Sequence, residues 1–170
     1  MNRTLSLVTV TLVAGTLSLA AQGMAHVELK DADGKSVGTA MIMEAKGGGV
    51  TIAIDFKGLP PGEHALHFHQ TAKCEAPFAT AGGHFNPDMK KHGTENPEGP
   101  HAGDMANFTV AASGAAKATI TNTKVTMGMA ANSIYANGGT ALMIHAAADD
   151  MKSDPAGNAG ARIACGLVVK

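Results

Sequence analysis

Val50-Thr51-Ile52-Ala53-Ile54-Asp55-Phe56-Lys57, running into Gly58-Leu59-Pro60-Pro61-Gly62, decides the fold class. Apolar residues alternate there with small or polar ones, the period of a strand with one buried face. The Gly-Leu-Pro-Pro-Gly cluster then forces a turn. On the amino-terminal side, Gly47-Gly48-Gly49 closes an extended run over 37–43, and Asp31-Ala32-Asp33-Gly34 has the make-up of a hairpin turn leading back to Val27 and Leu29. On the carboxyl-terminal side, residues 108–112, 117–125, 140–145 and 161–169 are further short extended runs separated by Gly, Asn or Asp. No window holds a 3.6-residue apolar stripe of useful length, because glycines interrupt each one. The pattern predicts an all-β fold, a Greek-key antiparallel β-sandwich or barrel of immunoglobulin-like architecture. Residues 70–105 and 146–160 lack strand character, and loops that long in a compact domain are usually functional.

Composition narrows the function. The chain has 170 residues, 45% hydrophobic but only 4% aromatic, with no Trp and 21 Gly, so a core of small side chains is expected. Thirteen basic residues against 14 acidic ones leave a formal charge of −1. That balance argues against nucleic-acid binding, which needs a basic face, and against a polybasic membrane anchor. Residues 1–25 have the make-up of a signal peptide: Arg3, an uncharged run over 5–21, and small residues at the last and third-last positions of Gly23-Met24-Ala25. The run is short for a membrane span and no second one follows. Residues 26–170 are therefore expected to be one exported domain, free of the membrane once the signal is removed and placed in a bacterial periplasm. Two cysteines, Cys74 and Cys165, suit that oxidising compartment as a single bridge.

Eight histidines carry the chemistry. In His64-Ala65-Leu66-His67-Phe68-His69 a strand would set His67 and His69 on one face, about 6.6 Å apart, with Leu66 and Phe68 on the other. Two imidazoles side by side can chelate one metal ion. His84, His92 and His101 follow in the first long segment, with Asp104 three residues later, a set that suits four-coordinate zinc. His145 ends the 140–145 run on the face opposite Leu142 and Ile144. A single histidine is more often an ordinary surface or hydrogen-bonded residue. Six of them at strand ends and in one loop, with a carboxylate, point to copper with zinc.

The motifs resemble those of the copper/zinc superoxide dismutases across the whole domain. Gly62 to His69 has the Gly-x-His-x-x-His-x-His pattern, Gly83 to Pro87 is Gly-His-Phe-Asn-Pro, and His101 to Asp104 is His-x-Gly-Asp. Gly157 to Gly166 gives Gly-Asn-Ala-Gly-x-Arg-x-Ala-Cys-Gly, the most specific of the four. The resemblance implies one copper and one zinc per subunit. Copper would be held by His67, His69, His84 and His145; zinc by His84, His92, His101 and Asp104, with His84 as a shared imidazolate. It further implies that Asp149 orients His67 and His92, that Arg162 docks the superoxide anion and that Cys74 pairs with Cys165. The implied reaction is dismutation of superoxide to dioxygen and hydrogen peroxide, with His84 as a proton store. His64 is expected to be structural.

Departures and alternatives remain at this level. Ala65-Leu66 stand where the family usually has Gly-Phe, and the loop from Asp149 to Arg162 is shorter than in eukaryotic members and carries few charges. Substrate steering then leans on Arg162 and on candidates among Lys73, Lys90, Lys91 and Lys152. Met41-x-Met43, Met127-x-Met129 and a newly exposed amino-terminal His26 leave open a periplasmic copper-binding or delivery protein without turnover. A dismutase-like domain without catalysis is a third reading. A homodimer is compatible with the sequence, which does not specify the oligomeric state or the source of superoxide.

Overall fold

The strand alternation read in the sequence is the alternation seen in space. The structure, a computed structural model, describes residues 23–170; the signal segment expected over 1–25 lies outside the described residues up to position 22. Nine strands follow in order: β1 (Met24–Asp31), β2 (Ser36–Glu44), β3 (Val50–Phe56), β4 (Gly62–His64), β5 (Leu66–His69), β6 (Phe108–Val110), β7 (Ala116–Asn122), β8 (Thr140–His145) and β9 (Arg162–Val168). In β1 and β3 every second side chain is buried, as a sheet with one solvated face requires.

All strand pairs are antiparallel, in the order β5-β8-β9-β1-β2-β3-β7, with β4 beside β6. The run from Gly62 to His69 is one strand broken at Ala65. Ala65 donates its N–H to the Ala147 carbonyl at 2.9 Å and accepts from the His145 N–H at 3.0 Å. Below the break the strand pairs with β6, which lies against β7 at the far margin, and above it with β8, so the sheet curls into a barrel. The β3–β4 and β7–β8 connections pass over strands that are not neighbours in sequence, as Greek-key connections do.

The core differs from the expected one of small side chains. Its largest fully buried members are Phe56, Phe68, Leu29, Ile42, Ile52, Leu66, Ile134 and Leu142, and all five phenylalanines are buried. Phe56 and Phe108 meet edge to face at 5.6 Å. Many alanines, such as Ala111, Ala112, Ala130, Ala131, Ala146 and Ala147, lie instead on exposed turns and loops. Composition counts residues wherever they fall, whereas burial selects the large aliphatic ones.

The extended run expected over 117–125 ends at Asn122. There the side chain turns from the ladder to accept the Lys124 N–H at 2.7 Å and to donate to the Ala102 carbonyl at 2.8 Å. The two long segments are loops, 70–107 and 146–161, with only a short 3₁₀ turn at Ala79–Ala81. Among the described residues, no helix is long and apolar enough to cross a membrane.

Candidate metal centre

Leu66 and Phe68 of β5, with Leu142 and Ile144 of β8, point into the core; His67, His69 and His145 point the other way. That outer face is not solvated, because loop 70–107 folds back along β5. The Phe68 N–H donates to the Gly103 carbonyl at 3.0 Å, the Phe85 N–H to the Phe68 carbonyl at 2.8 Å, and the Gly103 N–H to the Phe85 carbonyl at 2.8 Å. A Cβ at Gly103 would collide with the Phe68 carbonyl, so only glycine permits this lacing. It delivers His84, His92, His101 and Asp104 beside the strand histidines. All seven residues are buried.

The first cluster is His67, His69, His84 and His145, whose donor atoms lie within 4.8 Å of one another. His69 Nδ1 is 2.9 Å from the Gly82 carbonyl and His145 Nδ1 is 3.3 Å from the Gly160 carbonyl. Each Nδ1 therefore carries the proton, and each Nε2 presents a lone pair. Those two Nε2 atoms face each other at 3.2 Å. His67 donates Nε2–H to Asp149 Oδ2 at 2.8 Å, and among the described residues its buried Nδ1 and the buried His84 Nε2 have no partner. Four imidazole lone pairs thus converge on one point, an arrangement that repels itself unless a cation sits between them. Copper, a good imidazole acceptor, fits this donor set.

The second cluster is His84, His92, His101 and Asp104. Asp104 Oδ1 lies 2.8 Å from His84 Nδ1, 3.1 Å from His92 Nδ1 and 3.3 Å from His101 Nδ1. Three nitrogens and one carboxylate oxygen make a zinc donor set. Asp104 Oδ2 accepts the Gly93 and His101 N–H groups, both at 2.9 Å, so the carboxylate is held from behind. His84 alone belongs to both clusters, one ring nitrogen facing each. Asp149 spans them from the rear, accepting from His67 Nε2 and, at 2.9 Å, from His92 Nε2.

Electrostatics agree with the geometry. Burial first, and then the neighbouring imidazoles, push His69 down to about 2, His145 to about 3 and His84 to about 4, so these rings stay neutral and coordinating. Burial also opposes charge on His92, but hydrogen bonds and attraction from Asp104 and Asp149 outweigh it and raise the ring to about 9. Burial likewise disfavours the Asp104 and Asp149 carboxylates, yet the histidines around them hold both well below the usual range. Two ionised carboxylates behind four rings, three of them held neutral by burial, call for a cation at this position.

Arg162 sits at the rim because of a bulge. The β8–β9 register shifts between Ile144 and His145, bringing Arg162 opposite His145 and onto the metal-site face. Its guanidinium donates to the Phe78 carbonyl at 2.5 Å and to the Gly82 carbonyl at 2.6 Å. Gly82 also accepts from His69, so one carbonyl orients both residues. Cys74 and Cys165 form a disulfide with a Cα separation of 5.6 Å, tying loop 70–107 to β9. Lys91 and Lys152 pair with Glu98 and Glu95 at 3.3 and 2.9 Å, leaving Lys73 and Lys90 without an acidic partner among the described residues. His64 stands outside both clusters, each ring nitrogen 2.8 Å from a carbonyl, of His145 or Pro60.

Four further residues support the site. Asn107 donates to the Asp149 carbonyl and accepts the Asp149 N–H, both at 2.9 Å. Asp154 accepts the His92 N–H at 2.8 Å, and Asn122 ties β7 to the carbonyl of Ala102. Gly157 lets the second loop lie against Asp149 and His92. Asn107, Asn122 and Asp154 belong to no motif and Gly157 is only the first glycine of one, so long-range contact alone shows what each does.

Comparison with known proteins gives the family. The copper/zinc superoxide dismutase family model matches residues 36–168. Superoxide dismutase [Cu-Zn] 2 of Aquifex aeolicus is 50% identical over 147 residues, 85% of each chain. The solved structure of Cu/Zn superoxide dismutase from Brucella abortus is 30% identical with a TM-score of 0.71, over 86% of this chain and 99% of that one. A superoxide dismutase-like protein from Bacillus subtilis superposes with a TM-score of 0.83 at 38% identity, over 88% of this chain and all of that one. Motifs, barrel, donor sets and relatives converge: the chain belongs to the copper/zinc superoxide dismutase family, enzymes that act on superoxide with copper and zinc as cofactors.

Proposed function

We propose that this protein dismutates superoxide in the bacterial periplasm, with His67, His69, His84 and His145 holding copper and His84, His92, His101 and Asp104 holding zinc. The observation that carries the assignment is the convergence of four imidazole lone pairs, two of them on buried nitrogens with no other partner. Bound copper supplies the electron exchange, cycling between Cu²⁺ and Cu⁺ so that two superoxide anions and two protons give one dioxygen and one hydrogen peroxide.

The chain's residues do the rest. Asp149 keeps protons on His67 Nε2 and His92 Nε2, so each of these rings offers Nδ1 as its donor atom. His84, common to both donor sets, would be a ligand of either metal, its proton count set by how many are bound. Its buried Nε2 is placed to hold a proton and to pass it to the reduced product. Arg162, half-exposed and fixed by two carbonyls, receives the anion at the mouth. Export follows from the signal segment over 1–25, and the disulfide suits that destination.

The test uses protein purified from the periplasmic fraction, with its amino terminus determined by mass spectrometry and its copper and zinc measured. We expect a chain beginning at His26, one equivalent of each metal and cyanide-sensitive removal of superoxide. One copper and one zinc without turnover would overturn the enzymatic reading, and an unprocessed cytoplasmic chain would overturn the location.

A further inference from the structure

The outer face of the β1–β2 hairpin carries a group of side chains that the dismutase centre does not use. Met24 and His26 alternate with buried Ala25 and Val27, so both face outward from β1. The antiparallel register sets Met24 opposite Met43 and His26 opposite Met41. Directly opposed side chains in such a pair have Cβ atoms about 5 Å apart, and neighbours along one strand face lie about 6.8 Å apart. Three thioethers and one imidazole thus occupy the corners of one small rectangle. These methionines do not fill the core: Met24 is 64% exposed, Met43 is 37% exposed and Met41 is half-buried. Met127 and Met129 behave differently, since Met127 is buried and Met129 almost fully exposed, and they form no such group.

We infer that His26, Met41 and Met43, with Met24 where it is retained, form a third metal site, selective for Cu(I). Thioether sulfur is a soft donor and imidazole an intermediate one, a combination that favours Cu(I) over calcium, magnesium or manganese. Methionine has three rotatable bonds beyond its Cα, so the sulfurs can turn inward over the sheet without moving the backbone. The nearest outward carboxylate along β1, Glu28, is engaged with Lys30 at 3.4 Å and offers no competing hard site. In the sheet order β1 lies three strands from β5, so the group is separate from the dismutase centre. His26, Met41 and Met43 all follow Ala25 and remain if the chain is cut there.

The experiment titrates the copper- and zinc-loaded protein with Ag⁺, a redox-inert counterpart of Cu(I), and with Cu(I) presented by a competing chelator. Methionine methyl resonances and metal stoichiometry are followed together. We expect one further equivalent of either ion, with shifts confined to the methyl groups of Met41, Met43 and any retained Met24. Met41→Leu with Met43→Leu, which keeps apolar volume, should weaken the extra site at least tenfold and leave superoxide turnover unchanged. No further equivalent, unaltered affinity in the double variant, or shifts centred on Met89 or Met129 would each overturn the inference. Turnover is measured separately, so either reading can fail alone.

Discussion

In the proposed mechanism Arg162 is the single residue with the most leverage on rate. It touches none of the metal donors, yet its charge contributes to depressing His69 and His145, which places its field at their nitrogens. Two carbonyls fix its fork, so the positive end is aimed before substrate arrives. Arg162→Ala is expected to lower kcat/KM for superoxide at least tenfold with copper and zinc content unchanged, as read by stopped-flow decay and metal analysis. Arg162→Lys should fall between the two, because an ammonium keeps the charge but cannot hold both carbonyls in the same plane. Equal rates for all three forms would remove Arg162 from substrate docking. Its motif was legible in sequence; its direction was not, because a bulge set that.

At the scale of elements, loop 146–161 acts through contact with loop 70–107 rather than through donors of its own. Asp154 holds the His92 backbone, Asp149 holds the His67 and His92 rings, and Asn107 holds the Asp149 backbone in return. The loops meet at Gly157, which has φ +62°, and whose Cβ, if present, would collide with Asp149 Oδ1 and lie 2.6 Å from His92 Nε2. Gly157→Ala is therefore expected to weaken zinc by about tenfold or more, as loss of an outer partner commonly does, in a chelator competition assay. Amide exchange across 146–161 should rise in the same variant, whereas unchanged zinc affinity would show that the second loop does not support the site. The disulfide works on the other side of loop 70–107. Its bridge spans 91 residues, a closure that contributes on the order of 4 kcal/mol in a chain-entropy account.

Over the whole molecule, the buried histidines make stability depend on pH once the metals are stripped. Three rings titrate in the fold at about 2, 3 and 4 rather than the ordinary 6.5, so their contribution is complete above 6.5 and is lost as pH falls. His92 runs the opposite way: raised to about 9, it contributes fully below 6.5 and loses that contribution as pH rises through 9. Urea midpoints of the demetallated protein should peak near neutral pH, falling toward pH 5 and again toward pH 10. A midpoint that rises from pH 7 to pH 5 would contradict the burial of these rings. With copper and zinc bound, acid must displace the metals first, so metal release should accompany the acid limb. The formal charge of −1 supplies no global attraction for an anion, which leaves local groups around Arg162 to draw it in.

The sequence by itself determined the class of fold, the positions of most strands and the set of candidate donors. Alternation in Val50 to Phe56 and the spacing of His67 and His69 are local properties, settled by the two-residue period of an extended chain. Strand order was not legible, nor that the run from Gly62 to His69 breaks at Ala65 to close the barrel, because pairing partners lie far apart in sequence. The expected core of small residues was wrong for the same reason: which alanines are exposed is decided by the turns that hold them. Only the tertiary structure joined His145 to Arg162 across a bulge, put Asp149 behind two rings from distant segments and set His26 beside Met41. Those placements depend on register, and a one-residue slip would turn each side chain to the opposite face.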